Sequence, residues 1–266
     1  LSSAASDVYK RQRIYNRTDK NIRKMKYKKI ILGVALALAC FSSLNANALT
    51  ETKVKKTETQ AAAPNVYWTD GYGRVSYTTN SIISPVVKIA LKEFAGDMKA
   101  VTGFDAKEKS GAPIQIYQLD QLTNKEFSAV EKLGAPLHLI ITAKDAFYIG
   151  TRKGKLIVIG SNARGTAYAI MKLSELAGVS PLAAWNDLQP AQRKSLYTPV
   201  DQQWIEVPRI EFRGLALNNS QWMKPQNYSR IARLMLRLRA NTLWQVDGKH
   251  EAAYNKAVVD LSLIHI

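Results

Sequence analysis

Polar and aromatic side chains cluster after two short apolar runs near the end of the sequence. Asn218, Asn219 and Trp222 follow the first run, and Trp244 and Asp247 lie at the end of the second. Amides and carboxylates at the carboxyl ends of barrel strands bind substrates, and an indole ring offers a flat apolar surface. The same side chains can instead cap the strand ends locally. The residues alone leave both interpretations open, so these five are candidate substrate-binding residues.

The chain offers few other groups that could carry out chemistry. Its three histidines, His138, His250 and His265, lack the spacing of a zinc site, and no serine-nucleophile motif is present. His138 lies within the apolar run 137–142, which predicts a strand and a packed core position for its ring. We therefore predict neither a metal nor another cofactor.

A glycine-containing turn, Gly160-Ser-Asn-Ala-Arg-Gly-Thr166, follows one apolar run and precedes a helical pattern. A loop of this kind can bind phosphate at a helix N-terminus. Its spacing, however, matches neither the P-loop nor the dinucleotide-binding fingerprint. We favour a structural role, in which Ser161 or Asn162 caps the following helix.

The region around the candidate residues predicts one β-α-β unit. Residues 209–217 predict a buried strand, 228–239 a helix and 242–245 a second strand. The helix carries an apolar face with helical spacing, formed by Ile231, Leu234, Met235 and Leu238. Its polar face is predicted to be solvated and carries Arg230, Arg233 and Arg237. Because one such unit cannot bury its own strands, apolar side chains should stay partly exposed. They are Ile210, Phe212, Leu215, Ile231, Leu234 and Leu238.

Upstream, residues 66–182 predict a mixed domain of strands and helices that is large enough for its own core. The predicted strands are 74–79, 113–119, 137–142 and a hairpin of 147–151 with 155–160. The predicted helices are 85–101, 126–133 and 163–177. Residues 183–207 are interpreted as a connector, and residues 208–260 as the start of a β/α barrel. The fold class is therefore α/β: an α+β N-terminal domain followed by the first β-α-β unit of a truncated (β/α)8 barrel.

Residues 25–48 have the pattern of a bacterial secretory signal: a basic start, the apolar run 30–41 and the small-x-small site Ala46-Asn-Ala48. We favour cleavage after Ala48 over lipid modification of Cys40, the only cysteine. A lipid anchor at Cys40 is the alternative. We expect a periplasmic or extracellular protein with no membrane span. Residues 49–65 predict a linker.

The two ends of the chain look foreign to the protein. Asp7–Gln12 can be encoded by a DNA whose reverse complement encodes Leu261–Ile266, as in a sequencing adapter read from both sides. We therefore interpret residues 1–24 as an adapter-derived or untranslated leader and 261–266 as adapter-derived. Without the leader and the signal, the formal charge falls from +17 to +9. The sequence shows no interleaved basic-aromatic patch, so we predict no nucleic-acid partner.

Four segments resemble glycoside hydrolase family 115. They are Ile157–Ile170, Leu173–Pro181, Arg213–Asn218 and Leu236–Trp244, in the order and spacing of that family. The last two resemble its first barrel strand and its first helix with the second strand. The resemblance implies a xylan α-1,2-glucuronidase, which removes glucuronic acid or its 4-O-methyl ether with inversion. It also implies xylan or a related polysaccharide as partner, and a dimer is one option for the full-length parent.

Two departures from the family pattern bear on the site. The family usually has an Asn-Asp-Glu-like run where this chain has Asn218-Asn-Ser-Gln221, so the carboxylate expected at Asn219 is absent. After the second strand, only Trp244 matches the family's Trp-rich segment. Asp247 is well placed as a substrate ligand. The departures fit a branch with another sugar specificity or one that has lost activity.

The catalytic carboxylates are expected downstream of residue 260, because an inverting pair comes from the ends of several strands. The carboxylates near the β-α-β unit are Glu206, Glu211, Asp247 and Glu251. The 266-residue chain is thus predicted to be an inactive fragment of a secreted glycoside hydrolase. Two alternatives remain: another barrel glycosidase, such as a β-N-acetylhexosaminidase, and a non-catalytic carbohydrate-binding protein.

Overall fold

The computed structural model describes residues 64–186, 189–217, 224–245, 251–261 and 263–265. The predicted leader and signal peptide, and the predicted linker up to residue 63, lie outside these ranges. The strands are β1 Asn65–Tyr67, β2 Ser76–Thr79, β3 Lys107–Glu108, β4 Ile114–Gln118, β5 Phe147–Arg152, β6 Lys155–Gly160, β7 Tyr197–Pro199, β8 Gln203–Glu206, β9 Gly214–Leu217, β10 Thr242–Gln245 and β11 Ile264–His265. The helices are α1 Pro85–Thr102, α2 Asn124–Glu131, α3 Ala163–Leu176, α4 Pro225–Arg237 and α5 Glu251–Asp260.

A six-stranded sheet forms the first part of the fold, in the order β3-β2-β4-β6-β5-β8. Strands β3, β2, β4 and β6 are parallel, whereas β5 runs antiparallel to both of its neighbours. Side chains on β6 alternate between two cores, as strand geometry requires. Leu156 and Val158 pack with α1 and α3. Ile157 and Ile159 pack on the opposite face with Val130 and Ile140.

Short-range signals position the helices of this sheet. Helix α1 begins at Pro85 and is followed by Gly103 at φ 88°, a left-handed conformation that glycine adopts without strain. Thr123 and Glu126 form a capping box at the start of α2. Asn162 caps α3 by accepting a hydrogen bond from the Gly165 amide at 2.8 Å. The predicted helices, the hairpin and the capping role of the glycine-containing turn are therefore confirmed.

Two sequence-based expectations fail in this part of the chain. The apolar run 137–142 forms a 3₁₀ turn at Leu137–Leu139 instead of a strand, and His138 is exposed instead of packed. The predicted connector contributes two strands: β7 pairs with β1, and β8 completes the six-stranded sheet beside β5. Continuous apolar runs joined by a glycine-containing turn predicted β5 and β6, but residues 197–206 contain no such run.

The predicted β-α-β unit is present as β9, α4 and β10. Strands β9 and β10 are parallel, and β11, which lies in the residues interpreted above as adapter-derived, pairs with the other edge of β10. Tyr228, Ile231, Ala232, Met235 and Leu236 form the buried face of α4. This face joins the core around α1 and α3. The unit is therefore covered on its helical side by α1, α3 and α5.

The orientation of α4 differs from the predicted one in two respects. Leu238 is exposed, and Leu236 takes its place in the core. Arg237, which we assigned to the solvated face, is buried and ion-paired with Asp97 and Glu93 on α1. A periodicity of 3.6 residues predicts an apolar face but cannot show that a second helix supplies carboxylates beside it. Of the side chains expected to stay partly exposed, Ile210, Phe212, Leu215 and Leu238 are exposed, Leu234 is intermediate and Ile231 is buried.

Within the described ranges, no helix has the length and apolar character needed to cross a membrane.

Candidate functional site

The carboxyl ends of β9 and β10 lie side by side, because the two strands are parallel and in register. Ala216 is opposite Trp244, and Leu217 is opposite Gln245. Polar residues following both strands would therefore converge at one edge of the sheet, where β/α-barrel enzymes bind substrate. Of the five candidate residues, Asn218, Asn219, Trp222 and Asp247 lie outside the described residues. Their role stays a prediction.

Trp244 is the candidate residue that the structure describes. It lies one position before the end of β10, and 48% of its surface is exposed. Its neighbour Leu243 is fully buried in the core that contains α4 and α5. Because adjacent side chains on a strand point to opposite faces, Trp244 projects from the face away from these helices. In a closed barrel that face is the interior, so the indole lies where a ligand entering from the carboxyl ends could contact it.

The opposite ends of the same strands surround a buried carboxylate, Asp145. Its Oδ1 accepts hydrogen bonds from Asn162 Nδ2 at 3.1 Å and Arg164 Nε at 2.9 Å. Its Oδ2 accepts hydrogen bonds from Arg213 at 3.3 Å and Asn241 Nδ2 at 3.0 Å. Arg213 precedes β9, and Asn241 precedes β10. A single carboxylate thus links the start of both strands to the start of α3.

Electrostatics keep Asp145 ionised. Burial raises the pKa of this carboxyl, but hydrogen bonds from Asn241 and Arg164 and the charge of Arg164 outweigh that effect, so its pKa lies below the ordinary value. Asn241 Oδ1 also accepts a hydrogen bond from the Arg213 amide at 2.9 Å, and its Nδ2 donates one to the Glu211 carbonyl at 2.7 Å. The cluster fixes the backbone where β9 and β10 begin.

The Asp145 cluster borders a cleft of about 480 Å³. The cleft lies at the amino ends of β9 and β10, and in β/α barrels this end serves stability whereas the carboxyl ends carry catalysis. We therefore assign Asp145 a structural role. The sequence analysis missed it, since its four partners lie up to 96 residues away. In the structure Asp145 has a left-handed backbone at φ 59°, which aspartate tolerates better than most residues.

Two glycines allow this junction to close. A β-carbon on Gly165 would overlap the carbonyl oxygen of Ala146, and one on Gly160 would overlap Thr166. The glycines of the turn therefore allow close packing between strand and helix, and Asn162 accepts hydrogen bonds from the Gly165 amide and the Thr166 hydroxyl. This supports the structural interpretation over phosphate binding.

The described carboxylates near the β-α-β unit do not form a catalytic pair. Glu211 lies before β9 and forms an exposed ion pair with Lys144 at 2.9 Å. Glu206 lies on β8 and pairs with Arg239 at 2.9 Å. Glu251 begins α5. None of the three lies at the carboxyl end of a described parallel strand. Among the described residues, no group of three or more His, Cys, Asp or Glu side chains could hold a metal ion.

Comparison with solved structures identifies a relative of this fold. A family GH115 4-O-methyl-α-glucuronidase, BtGH115A, aligns with a TM-score of 0.64 and 25% sequence identity. That enzyme has specificity for decorated arabinogalactans. The alignment covers 73% of this chain and 29% of that enzyme, so this chain spans less than a third of its length. This chain therefore has a glycoside hydrolase fold, with the start of a truncated barrel.

More distant similarities involve other glycoside hydrolases. The Flavobacterium johnsoniae chitobiase aligns at TM-score 0.44 and 16% identity, covering 68% of this chain and 24% of that enzyme. A Streptomyces plicatus β-hexosaminidase aligns at TM-score 0.46 and 12% identity, covering 69% and 32%. No protein-family model and no curated protein sequence matches this chain.

Proposed function

We propose that this chain is the N-terminal part of a secreted α-glucuronidase that removes glucuronic acid, or its 4-O-methyl ether, from xylan by inversion. The observation that supports the proposal most strongly is the similarity to a GH115 4-O-methyl-α-glucuronidase, with a TM-score of 0.64 and 25% identity over 73% of this chain. Two of the segments that resemble family GH115 lie on the described β-α-β unit. Arg213–Asn218 includes β9, and Leu236–Trp244 includes the end of α4 and most of β10.

The proposed chemistry needs more barrel strands than the described part of the chain supplies. Inversion uses a general acid and a general base on opposite faces of the sugar, with their carboxyl groups about 6.5–9.5 Å apart to admit water. In β/α barrels such groups come from the ends of several strands, and the described carboxylates near β9 and β10 do not lie at the carboxyl ends of these strands. We infer that both catalytic carboxylates lie in sequence following residue 260. We assign Trp244, with Asn218, Asn219, Trp222 and Asp247, to substrate binding.

The polysaccharide is the part of the proposal that needs its own test. BtGH115A acts on decorated arabinogalactans. Xylan is our proposal for this chain, based on the known members of the resembled family. The absence of a carboxylate at Asn219 allows a substrate that differs from either. The assay must therefore present both polymers to the same enzyme preparation.

The experiment uses the product of the completed gene and the 266-residue chain in parallel. Each is incubated with glucuronoxylan fragments and with arabinogalactan, and released uronic acid is followed by proton NMR. We expect the completed protein to release 4-O-methylglucuronic acid from xylan fragments, with the β-anomer appearing first. We expect no release by the 266-residue chain. Initial appearance of the α-anomer would contradict inversion, and release of N-acetylhexosamine from chitobiose derivatives would favour a hexosaminidase.

A further inference from the structure

A groove of about 580 Å³ lies on the sheet domain, between the turn before β2, the end of α1 and the segment 192–194. Tyr72 and Phe104 provide its aromatic lining, and Arg193 and Lys194 provide its charge. Tyr72 is 78% exposed, so most of its ring is accessible to a ligand. The groove contains no residue of β9, β10 or the segments that follow them.

Arg74 joins the two aromatic residues. Its guanidinium lies 5.6 Å from the ring centroid of Tyr72 and 5.2 Å from that of Phe104. Stacking against two rings restricts a long side chain that would otherwise be free at the surface. The guanidinium edge keeps its hydrogen-bond donors available, because stacking uses only its face. Arg74 does not line the groove itself, but its contacts with Tyr72 and Phe104 place a charged donor group beside the aromatic lining.

The backbone around the groove is held firmly. Asp70 Oδ1 accepts hydrogen bonds from the amides of Tyr72 and Arg74, both at 2.9 Å, and this closes the turn. The Arg193 amide donates to the Val101 carbonyl at 2.8 Å, which ties the third wall to α1. A site whose walls are fixed before binding loses little freedom when a ligand enters.

Positive charge is in excess at the groove within the described part of the chain. No ion pair there joins Arg74, Arg193 or Lys194 to a carboxylate. The nearby Asp70 carboxylate offsets part of this charge, since hydrogen bonds from the Arg74 and Tyr72 amides and the charges of Arg74 and Lys109 lower its pKa. Lys99 and Asp105 pair with each other at 3.8 Å. Three cations beside two accessible rings form a surface that favours a ligand with both a negative charge and an apolar face.

We propose that this groove is a binding site for an acidic oligosaccharide. A uronic acid offers a carboxylate for Arg74 or Arg193, and a pyranose ring offers C–H groups that stack on Tyr72 or Phe104. The choice of a carbohydrate over other anions rests on the proposed function, whereas the preference for negative charge rests on the groove itself. The site would hold a polysaccharide through its uronic acid side chains at a place that carries no catalytic carboxylate.

The test measures binding without turnover, using the 266-residue chain and isothermal titration calorimetry. The probes are a xylo-oligosaccharide carrying 4-O-methylglucuronic acid, the same oligosaccharide without that group, and a single-stranded oligonucleotide. We expect the acidic oligosaccharide to bind about tenfold more tightly than the neutral one, the scale of one charge-assisted hydrogen-bonded pair, and to weaken as salt rises. Equal affinity for the two oligosaccharides would overturn the proposal, and tighter binding of the oligonucleotide would identify a nucleic-acid site instead.

Variants locate the binding in the groove. Arg74→Gln and Tyr72→Ala should each weaken binding of the acidic oligosaccharide about tenfold, and Lys194→Gln should weaken it less, since a lysine makes no bidentate pair. Arg230→Gln is the matched control, because Arg230 also stacks on an aromatic ring, 4.7 Å from Trp185, and does not line the groove. Thermal unfolding of each variant verifies its fold. The proposal would be overturned if Arg74→Gln and Tyr72→Ala bound the acidic oligosaccharide as tightly as the native chain.

This result is independent of the glucuronidase assay. A completed protein that releases uronic acid normally while its Arg74→Gln variant keeps full oligosaccharide binding would contradict the groove and leave the proposed function intact. Groove-dependent binding by a completed protein that releases no uronic acid would contradict the proposed function alone.

Discussion

Arg237 on α4 donates two hydrogen bonds to the carboxylate of Asp97 on α1, at 2.8 and 3.0 Å. The same guanidinium donates to Glu93 Oε2 at 3.1 Å. Only 9% of the Arg237 side chain and 11% of the Asp97 side chain are exposed. This ion pair connects the helix of the β-α-β unit to the sheet domain through groups that water hardly reaches. Helix α4 is therefore attached to the sheet domain by an ion pair as well as by apolar contacts with the core around α1 and α3.

The first prediction concerns the energy of this pair. Arg237→Met should lower the free energy of unfolding by about 3–5 kcal/mol, because it leaves the carboxylate of Asp97 buried and without its partner. Arg233→Met is the matched control. Arg233 lies on the same helix and 3.5 Å from Glu93, but its side chain is 51% exposed. Its replacement should cost less than about 1 kcal/mol. Urea denaturation followed by circular dichroism measures both values. Equal losses of unfolding free energy in the two variants would show that the buried ion pair stabilises the fold no more than the exposed one.

The second prediction concerns acid sensitivity at the Asp145 cluster. The pKa of Asp145 is lower in the folded protein than its ordinary value of 3.8. A lowered folded pKa contributes stability that is fully present above the unfolded pKa and is lost as pH falls through the folded pKa. The stability of the native chain should therefore decline more steeply below about pH 4 than that of Asp145→Asn.

Urea midpoints measured from pH 7 down to pH 3 provide this comparison. Glu126 also titrates at low pH, with a pKa lowered to about 2 by hydrogen bonds from the amides of Ser81 and Thr123. Its contribution is present in both proteins and cancels in the difference. Parallel pH profiles for the native chain and Asp145→Asn would contradict the assigned ionisation of Asp145.

The third prediction concerns the close approach of β9 and β10. A β-carbon on Gly214 would overlap the carbonyl oxygen of Thr242, which belongs to the backbone and cannot move without separating the strands. Gly214→Ala should destabilise the protein by about 1–3 kcal/mol and speed amide exchange in β9 and β10. Gly96→Ala is the control, since nothing lies within 4 Å of its added β-carbon. Gly96 is exposed in α1, so alanine there should stabilise the chain by about 0.5–1 kcal/mol. The predicted clash would be contradicted if the β9 amides of Gly214→Ala exchanged as slowly as those of the native chain.

The elements that the sequence predicted well share one property: their signals are local. The hairpin of β5 and β6 follows from apolar runs around Gly154, and α3 follows from Asn162 at one end and Gly178 just past the other. The parallel pair β9 and β10 follows from two apolar runs on either side of an amphipathic helix. Each feature depends on residues that are near one another in the chain.

The features that sequence reasoning missed depend on distant partners. Strand β8 pairs with the free edge of β5. Arg237 is buried against Asp97 on another helix, and this partner lies 140 residues away in the sequence. The groove shows the same limit, since Arg74, Phe104 and Arg193 become neighbours only after folding. The boundary predicted after residue 182 stays a prediction. A chain ending there would nevertheless lose β8 and the hydrogen bond of 2.9 Å from Trp68 Nε1 to Thr198 Oγ1.

The last prediction concerns Trp244 in the completed gene product. Its indole is half exposed and lies near the carboxyl end of β10, so its removal leaves the core around Leu243 in place. Trp244→Ala should weaken substrate binding by about 1–3 kcal/mol, the scale of losing one large apolar contact, and should appear mainly as a higher KM. Trp185→Ala is the control, because Trp185 is 42% exposed, lies under Arg230 and belongs to neither strand. Steady-state kinetics on acidic xylo-oligosaccharides measure both variants. If Trp244→Ala folds normally and keeps the native KM, a substrate contact at the end of β10 is excluded.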